Sequence, residues 1–179
     1  MNNKFFIVGS GGAGKSTLAS ILSEQQGIPS FELDQLFWND AWVVADADVF
    51  QNRVSLVVSQ SQWILDGNYR GTVFNKVYSA ADTLVWVNFP RRVVVYRCAV
   101  RALRMLVLRR KFYGKDLPPT IWGSIKLLGF VWKTFHERNL FLAEQIKNFE
   151  FSGRRTFVLK SKSDINAFLE ELCVTEGNA

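Results

Sequence analysis

Short runs of consecutive apolar residues alternate along the chain with longer stretches in which apolar positions recur every three or four residues. That alternation predicts βαβ units built around a parallel sheet. Phe5-Phe6-Ile7-Val8 reads as the first strand, 28–33 as the second, Trp63-Ile64-Leu65 as the third, 83–89 as the fourth and 156–160 as the fifth. Helices are predicted over 16–26, where Gly27 ends the run, and over 48–59, 91–110, 121–149 and 164–172. Pro90 suits the first turn of the helix that follows it. The 121–149 stretch is apolar around much of its circumference, so it is expected to be mostly buried or bent at Gly129. Ser163 or Asp164 is the expected cap of the last helix, and Gly114 with Pro118-Pro119 marks a loop between the two long ones.

A chain of 179 residues suits one domain, 1–179, with no convincing linker and no internal repeat. No apolar stretch approaches the roughly 20 residues that span a bilayer, and the apolar run before Gly9 is too short for a signal peptide. Two separated cysteines, Cys98 and Cys173, and one histidine, His136, argue against a disulfide framework or a zinc site. A cytoplasmic protein with no membrane partner is the expectation; His136 reads as a surface or lid residue and both cysteines as packing residues. Twenty-two Lys and Arg against sixteen Asp and Glu give a net charge of +6, which favours phosphates, nucleotides or nucleic acid as partners.

Gly9-Ser10-Gly11-Gly12-Ala13-Gly14-Lys15-Ser16 fits GxxxxGK[ST] residue for residue, after a predicted strand and before a predicted helix. Such a loop turns tightly enough to aim successive N–H groups at phosphate oxygens, and the helix N-terminus adds its positive dipole end. Gly9, Gly11, Gly12, Ala13, Gly14, Lys15, Ser16 and Thr17 are therefore candidate nucleotide contacts, with Lys15 reaching the β and γ phosphates and the Ser16 hydroxyl binding Mg²⁺. Two carboxylates end strands on the same sheet edge. Asp66 follows the third strand, where ligands bind in open α/β folds, and Asp34 follows the second. Arg97, Arg101 and Arg104 fall at i, i+4 and i+7 on one helical face. Like charges so placed cost roughly 0.2–0.5 kcal/mol per pair, so the stripe either faces an anion or is a solvated basic face.

Together with the loop, the segments Leu33-Asp34-Gln35-Leu36-Phe37-Trp38, Trp63 through Asp66-Gly67-Asn68-Tyr69, and Ala81-Asp82-Thr83 through Pro90-Arg91 make the chain resemble the nucleoside monophosphate kinase superfamily of P-loop kinases. Within it the likeness is to adenylate-kinase-like proteins called DNA topology modulation proteins, over nearly the whole chain. The resemblance implies an α/β three-layer P-loop NTPase fold, with a five-stranded parallel sheet of order 2-3-1-4-5 flanked by helices. It further implies an acceptor-binding insertion at about 34–60 and a short lid at about 108–120 that includes Arg109-Arg110-Lys111.

The same resemblance assigns roles. In adenylate kinases a DGxxR segment follows the third strand, so Asp66 would help to hold Mg²⁺ and Arg70 would grip an acceptor's phosphate, although Asn68-Tyr69 stands here in place of Phe-Pro. In relatives that phosphorylate a hydroxyl, a carboxylate near Asp34 acts as base or positions the hydroxyl; the bland alternative is an Asp capping the next turn. Trp38 and Trp42 are candidate walls of the acceptor pocket, and Arg53, Asn68 and Arg70 candidate contacts. Arg97 and Arg101 have the offsets from Pro90 at which adenylate kinases stack one arginine on adenine and set another on phosphate, and Arg138 lies where the superfamily supplies a transition-state arginine. The expected activity is an ATP- and Mg²⁺-dependent phosphotransferase acting on a small acceptor, a hydroxyl compound or a nucleotide, with Lys15, Asp34, Asp66, Arg101 and Arg138 as the catalytic set. The alternative is a nucleotide-switched, nucleic-acid-binding regulator.

Overall fold

Residues 5–8 sit in the middle of the sheet and are almost wholly inaccessible, which is why their sequence is a continuous apolar run. In a computed structural model describing residues 3–39, 43–108 and 121–176, they belong to β1 (Lys4–Gly9). It is followed by α1 (Lys15–Gln26), β2 (Ser30–Glu32), α2 (Leu33–Phe37), α3 (Ala47–Val58), β3 (Trp63–Asp66), α4 (Thr72–Ala80), β4 (Thr83–Val87), α5 (Arg91–Leu108), α6 (Ile121–Phe151), β5 (Arg155–Leu159) and α7 (Lys162–Glu176). The strands form one parallel sheet of order β2-β3-β1-β4-β5, the order the resemblance implies.

Successive β1 side chains point to opposite faces, and the core divides accordingly. Phe5 and Ile7 pack with Leu18, Leu22, Val94 and Phe168 from α1, α5 and α7. Phe6 and Val8 pack with Val54, Phe74, Val77, Leu142, Ile146 and Phe149 from α3, α4 and α6. The result is three layers, and every strand ends on one edge. No helix among the described residues is long and apolar enough to cross a membrane.

The second strand is shorter than the pattern suggests. The chain turns into α2 at Leu33, whose side chain fills the space above Gly67: a Cβ at Gly67 would lie 2.6 Å from Leu33 Cβ. Neither α2 nor α4 is foreseen from the pattern, being 5 and 9 residues long. Helix α6 runs on through Gly129 and, among the described residues, buries a stripe in its C-terminal half, Leu142, Ile146 and Phe149, while Phe130, Trp132 and Leu140 are exposed. The part of it whose side chains are described is therefore not mostly buried. The α7 cap is Ser161, upstream of the expected pair: Ser161 Oγ accepts from Asp164 N at 3.1 Å and Asp164 Oδ2 accepts from Ser161 N at 3.1 Å, a reciprocal capping box. Cys98 is buried and His136 exposed, as expected, whereas Cys173, expected as a packing residue, is exposed. The segment 109–115 and Trp42 lie outside the described residues.

Candidate functional site

A cleft of about 930 Å³ opens at the carboxyl ends of the strands. The loop after β1 forms its floor, with Gly11, Gly12, Ala13 and Gly14 lining it and Lys15, Ser16 and Thr17 beginning α1. Gly9 lies beneath the floor as the last residue of β1. Both its backbone groups are held by one side chain, since Gly9 N donates to Asn68 Oδ1 at 3.0 Å and Asn68 Nδ2 donates to Gly9 O. Asn68, a substrate candidate by sequence, thus lines the cleft while clamping the root of the loop.

Helix α5 supports the loop from below. Gly12 has φ 81, and a Cβ there would collide with Cys98 Sγ. Cys98 donates to Gly11 O at 3.3 Å, and burial pushes its thiol up. Arg97 stacks over Phe89 at 4.2 Å and donates to Ala13 O at 2.8 Å. The Arg97 and Arg101 side of the basic stripe therefore faces the cleft, while Arg104 is exposed and does not line it.

Three carboxylates face these cations from the strand side. Ser16 Oγ donates to Asp66 Oδ2 at 2.8 Å, and Asp66 Oδ1 is buried with no hydrogen-bond partner among the described residues. Burial raises the Asp66 carboxyl to about 6, against the pull of Lys15 and the Ser16 hydroxyl, with Glu32 and Asp34 adding to the rise. Burial likewise lowers the Lys15 ammonium below its usual range, opposed by Asp66 and Asp34 and reinforced by Arg138 and Arg101. The Glu32 carboxyl is pushed up by burial and by Asp34, while hydrogen bonding to Ser16 draws it down.

Glu32 is the residue that sequence reading misses. It ends β2 in register with Asp66, and that pairing brings it to Ser16. Its signal was a carboxylate ending a strand two residues before Asp34. Tyr69, Phe130, Lys162 and Ile165 also line the cleft without having been candidates.

Asp34 stands in the first turn of α2, where Tyr69 O–H donates to its Oδ1 at 2.9 Å. Trp38 and Arg138 complete this end of the cleft. Burial lowers the Arg138 guanidinium from its usual range, Arg70 adding to this and Glu137 and Asp34 opposing it. Arg53 and Arg70, two of the candidate acceptor contacts, do not line the cleft. Arg53 donates to Leu36 O at 2.9 Å and to Asn39 Oδ1 at 2.8 Å, bracing the segment that carries Trp38. Arg70 pairs with Glu137 at 2.8 Å and lies over Phe141.

The donor set fits a nucleotide with Mg²⁺: backbone amides and a lysine for phosphate, and a hydroxyl beside an unsatisfied buried carboxylate oxygen for a hydrated cation. No protein-family model and no curated protein matches the chain. Solved structures do. A shikimate kinase from Bacteroides thetaiotaomicron superposes with a TM-score of 0.56 at 16% identity, covering 99% of each chain. A shikimate kinase from Aquifex aeolicus gives 0.57 at 16% identity over 97% of this chain and 96% of that one. A gluconokinase from Sinorhizobium meliloti gives 0.51 at 15% identity over 97% and 95%. At such identities the likeness speaks for architecture alone, a five-stranded parallel sheet of order β2-β3-β1-β4-β5 flanked by helices.

Proposed function

We propose that the chain is a small-molecule kinase that transfers the γ-phosphoryl group of ATP to a hydroxyl-bearing acceptor. The observation that carries this reading is that Asp34, held by Tyr69, shares one cleft with Lys15, Ser16 and Asp66. A nucleotide switch has no need of a carboxylate on the acceptor side, whereas transfer to a hydroxyl does. Arg70, which would grip an acceptor's phosphate, is engaged with Glu137 instead.

In this reading the loop amides and Lys15 bind the phosphates, and Ser16, Asp66 and Glu32 are the residues that would hold Mg²⁺. The metal would neutralise charge on the phosphate oxygens. Asp34 orients the acceptor hydroxyl and takes its proton as the new O–P bond forms and the bond to the ADP oxygen breaks. Lys15, Arg101 and Arg138 offset charge that builds on the transferring group. Trp38 and Arg138 bound the acceptor.

The test is a screen for ADP release over nucleosides, nucleotides, sugars and amino alcohols, with three variants alongside. Lys15→Ala should abolish turnover and keep the fold. Asp34→Asn should lower acceptor-dependent turnover by roughly 10²-fold or more while leaving ATP affinity nearly unchanged. Arg101→Ala should cost about 3 kcal/mol in transfer with every acceptor. Full turnover by Lys15→Ala, or equal small losses in the other two, would overturn the assignment.

A further inference from the structure

The four residues 66–69, running from the end of β3 into the loop before α4, reach all three working parts of the cleft. Asp66 accepts from Ser16, Asn68 clamps Gly9, and Tyr69 donates to Asp34. The last of these contacts belongs to no part of the phosphate-binding apparatus. The Tyr69 ring is held from the far side, with its centroid 4.8 Å from Phe37 and 5.0 Å from Phe50. These neighbours come from α2 and α3 and fix where the hydroxyl can point. A carboxylate on a surface helix turns easily about its last side-chain bond. With Oδ1 of Asp34 tied to a packed aromatic ring, its plane is set by the protein.

We infer that Tyr69 is a positioning residue for the phosphoryl acceptor: through its hydroxyl it sets the Asp34 carboxylate in register with the phosphate loop, which the same segment anchors through Asn68. The inference rests on the kinase reading and adds to it the device that couples donor and acceptor sides. A phenol on a carboxylate is a charge-assisted hydrogen bond, of the class whose loss costs more than that of a neutral pair. A small error in aiming the base is costly because the reacting atoms must meet within a few tenths of an ångström.

The experiment measures ADP release from Mg·ATP with water alone as acceptor, and again with the best hydroxyl compound from the screen, in wild type, Lys15→Ala, Tyr69→Phe, Asp34→Asn and the double variant Tyr69→Phe/Asp34→Asn. Tyr69→Phe keeps the ring in its aromatic nest. It should lower kcat about tenfold or more, leave KM for ATP unchanged, and change nothing further once Asp34 is Asn. A full-rate Tyr69→Phe, or a loss of the same factor in the Asp34→Asn background, overturns the inference and leaves the kinase reading standing. So does a fall in rate explained entirely by a higher KM for ATP. Equal ADP release by wild type and Lys15→Ala overturns the kinase reading itself, and this inference with it. If Tyr69→Phe melts early, Asp34→Asn serves as the second arm: with the Tyr69 hydroxyl still present, a kcat equal to wild type also overturns the inference.

Discussion

Asp66 is under opposing influences, since Lys15 and the Ser16 hydroxyl favour its charged form and its burial resists it. Its folded-state pKa of about 6 lies above the ordinary 3.8, so the native protein binds this proton more readily than the unfolded chain. The ionised carboxylate therefore lowers stability at neutral pH, and stability returns as the pH falls through about 6 towards 4. Without nucleotide or metal, the unfolding free energy of wild type should gain on that of Asp66→Asn by about 1 kcal/mol between pH 7 and pH 5; denaturant melts at the two pH values check it. Asn68 shows the same economy in its hydrogen bonds. Asn68→Ala strips partners from two backbone groups of the buried Gly9, at a cost of about 1–3 kcal/mol. Asn68→Asp should be worse, because it sets a carboxylate oxygen against Gly9 O. Urea melts and calorimetric ATP affinity should rank the three proteins in that order.

Among the elements, α5 and α7 bound the glycine-rich-loop side of the cleft by different means. Helix α5 reaches the loop through Arg97 and Cys98, whose contacts fall on the Ala13 and Gly11 carbonyls. Helix α7 presents its first turn, with Lys162 and Ile165 on the cleft wall just inside the Ser161 and Asp164 capping box. Ser161→Ala removes one half of that box and should destabilise the protein by about 1 kcal/mol. Since the frayed turn is also cleft wall, ATP should bind more weakly in Ser161→Ala than in a variant equally destabilised at the far end of α7. A calorimetric comparison of the two separates the local effect from the global one.

At the scale of the whole molecule, part of the net charge of +6 is gathered in one place, with Lys15, Arg97, Arg101 and Arg138 all on the cleft opposite Glu32, Asp34 and Asp66. An anion bound there meets groups from the loop after β1 through α7 and should stabilise the fold as a unit. At one hundred times its dissociation constant, Mg·ATP should add about 2.7 kcal/mol, which for a domain of this size is a rise in Tm of roughly 5–10 °C. Lys15→Ala should show little of that rise in a thermal-shift assay. Nucleic acid as the partner predicts something else, a binding constant that falls steeply with salt as several phosphates are neutralised.

The strands, the phosphate loop and the carboxylate ending the third strand were all legible in the chain itself, because local periodicity reports burial and a glycine-rich turn reports backbone geometry. The sheet order followed from resemblance, and the register β2 keeps with β3 was invisible, yet that register brings Glu32 beside Asp66. The five-residue α2 escapes periodicity because it holds too few turns to repeat a pattern. The fates of Arg53, Asn68, Arg70 and Tyr69 were decided by partners far away in sequence, 59 residues for Asn68 and Gly9 and 35 for Tyr69 and Asp34. Residue type told which chemistry each could perform. Only packing at the carboxyl edge of the sheet, where loops from separate strands are forced together, decided which side chains face the cleft and which hold the ones that do.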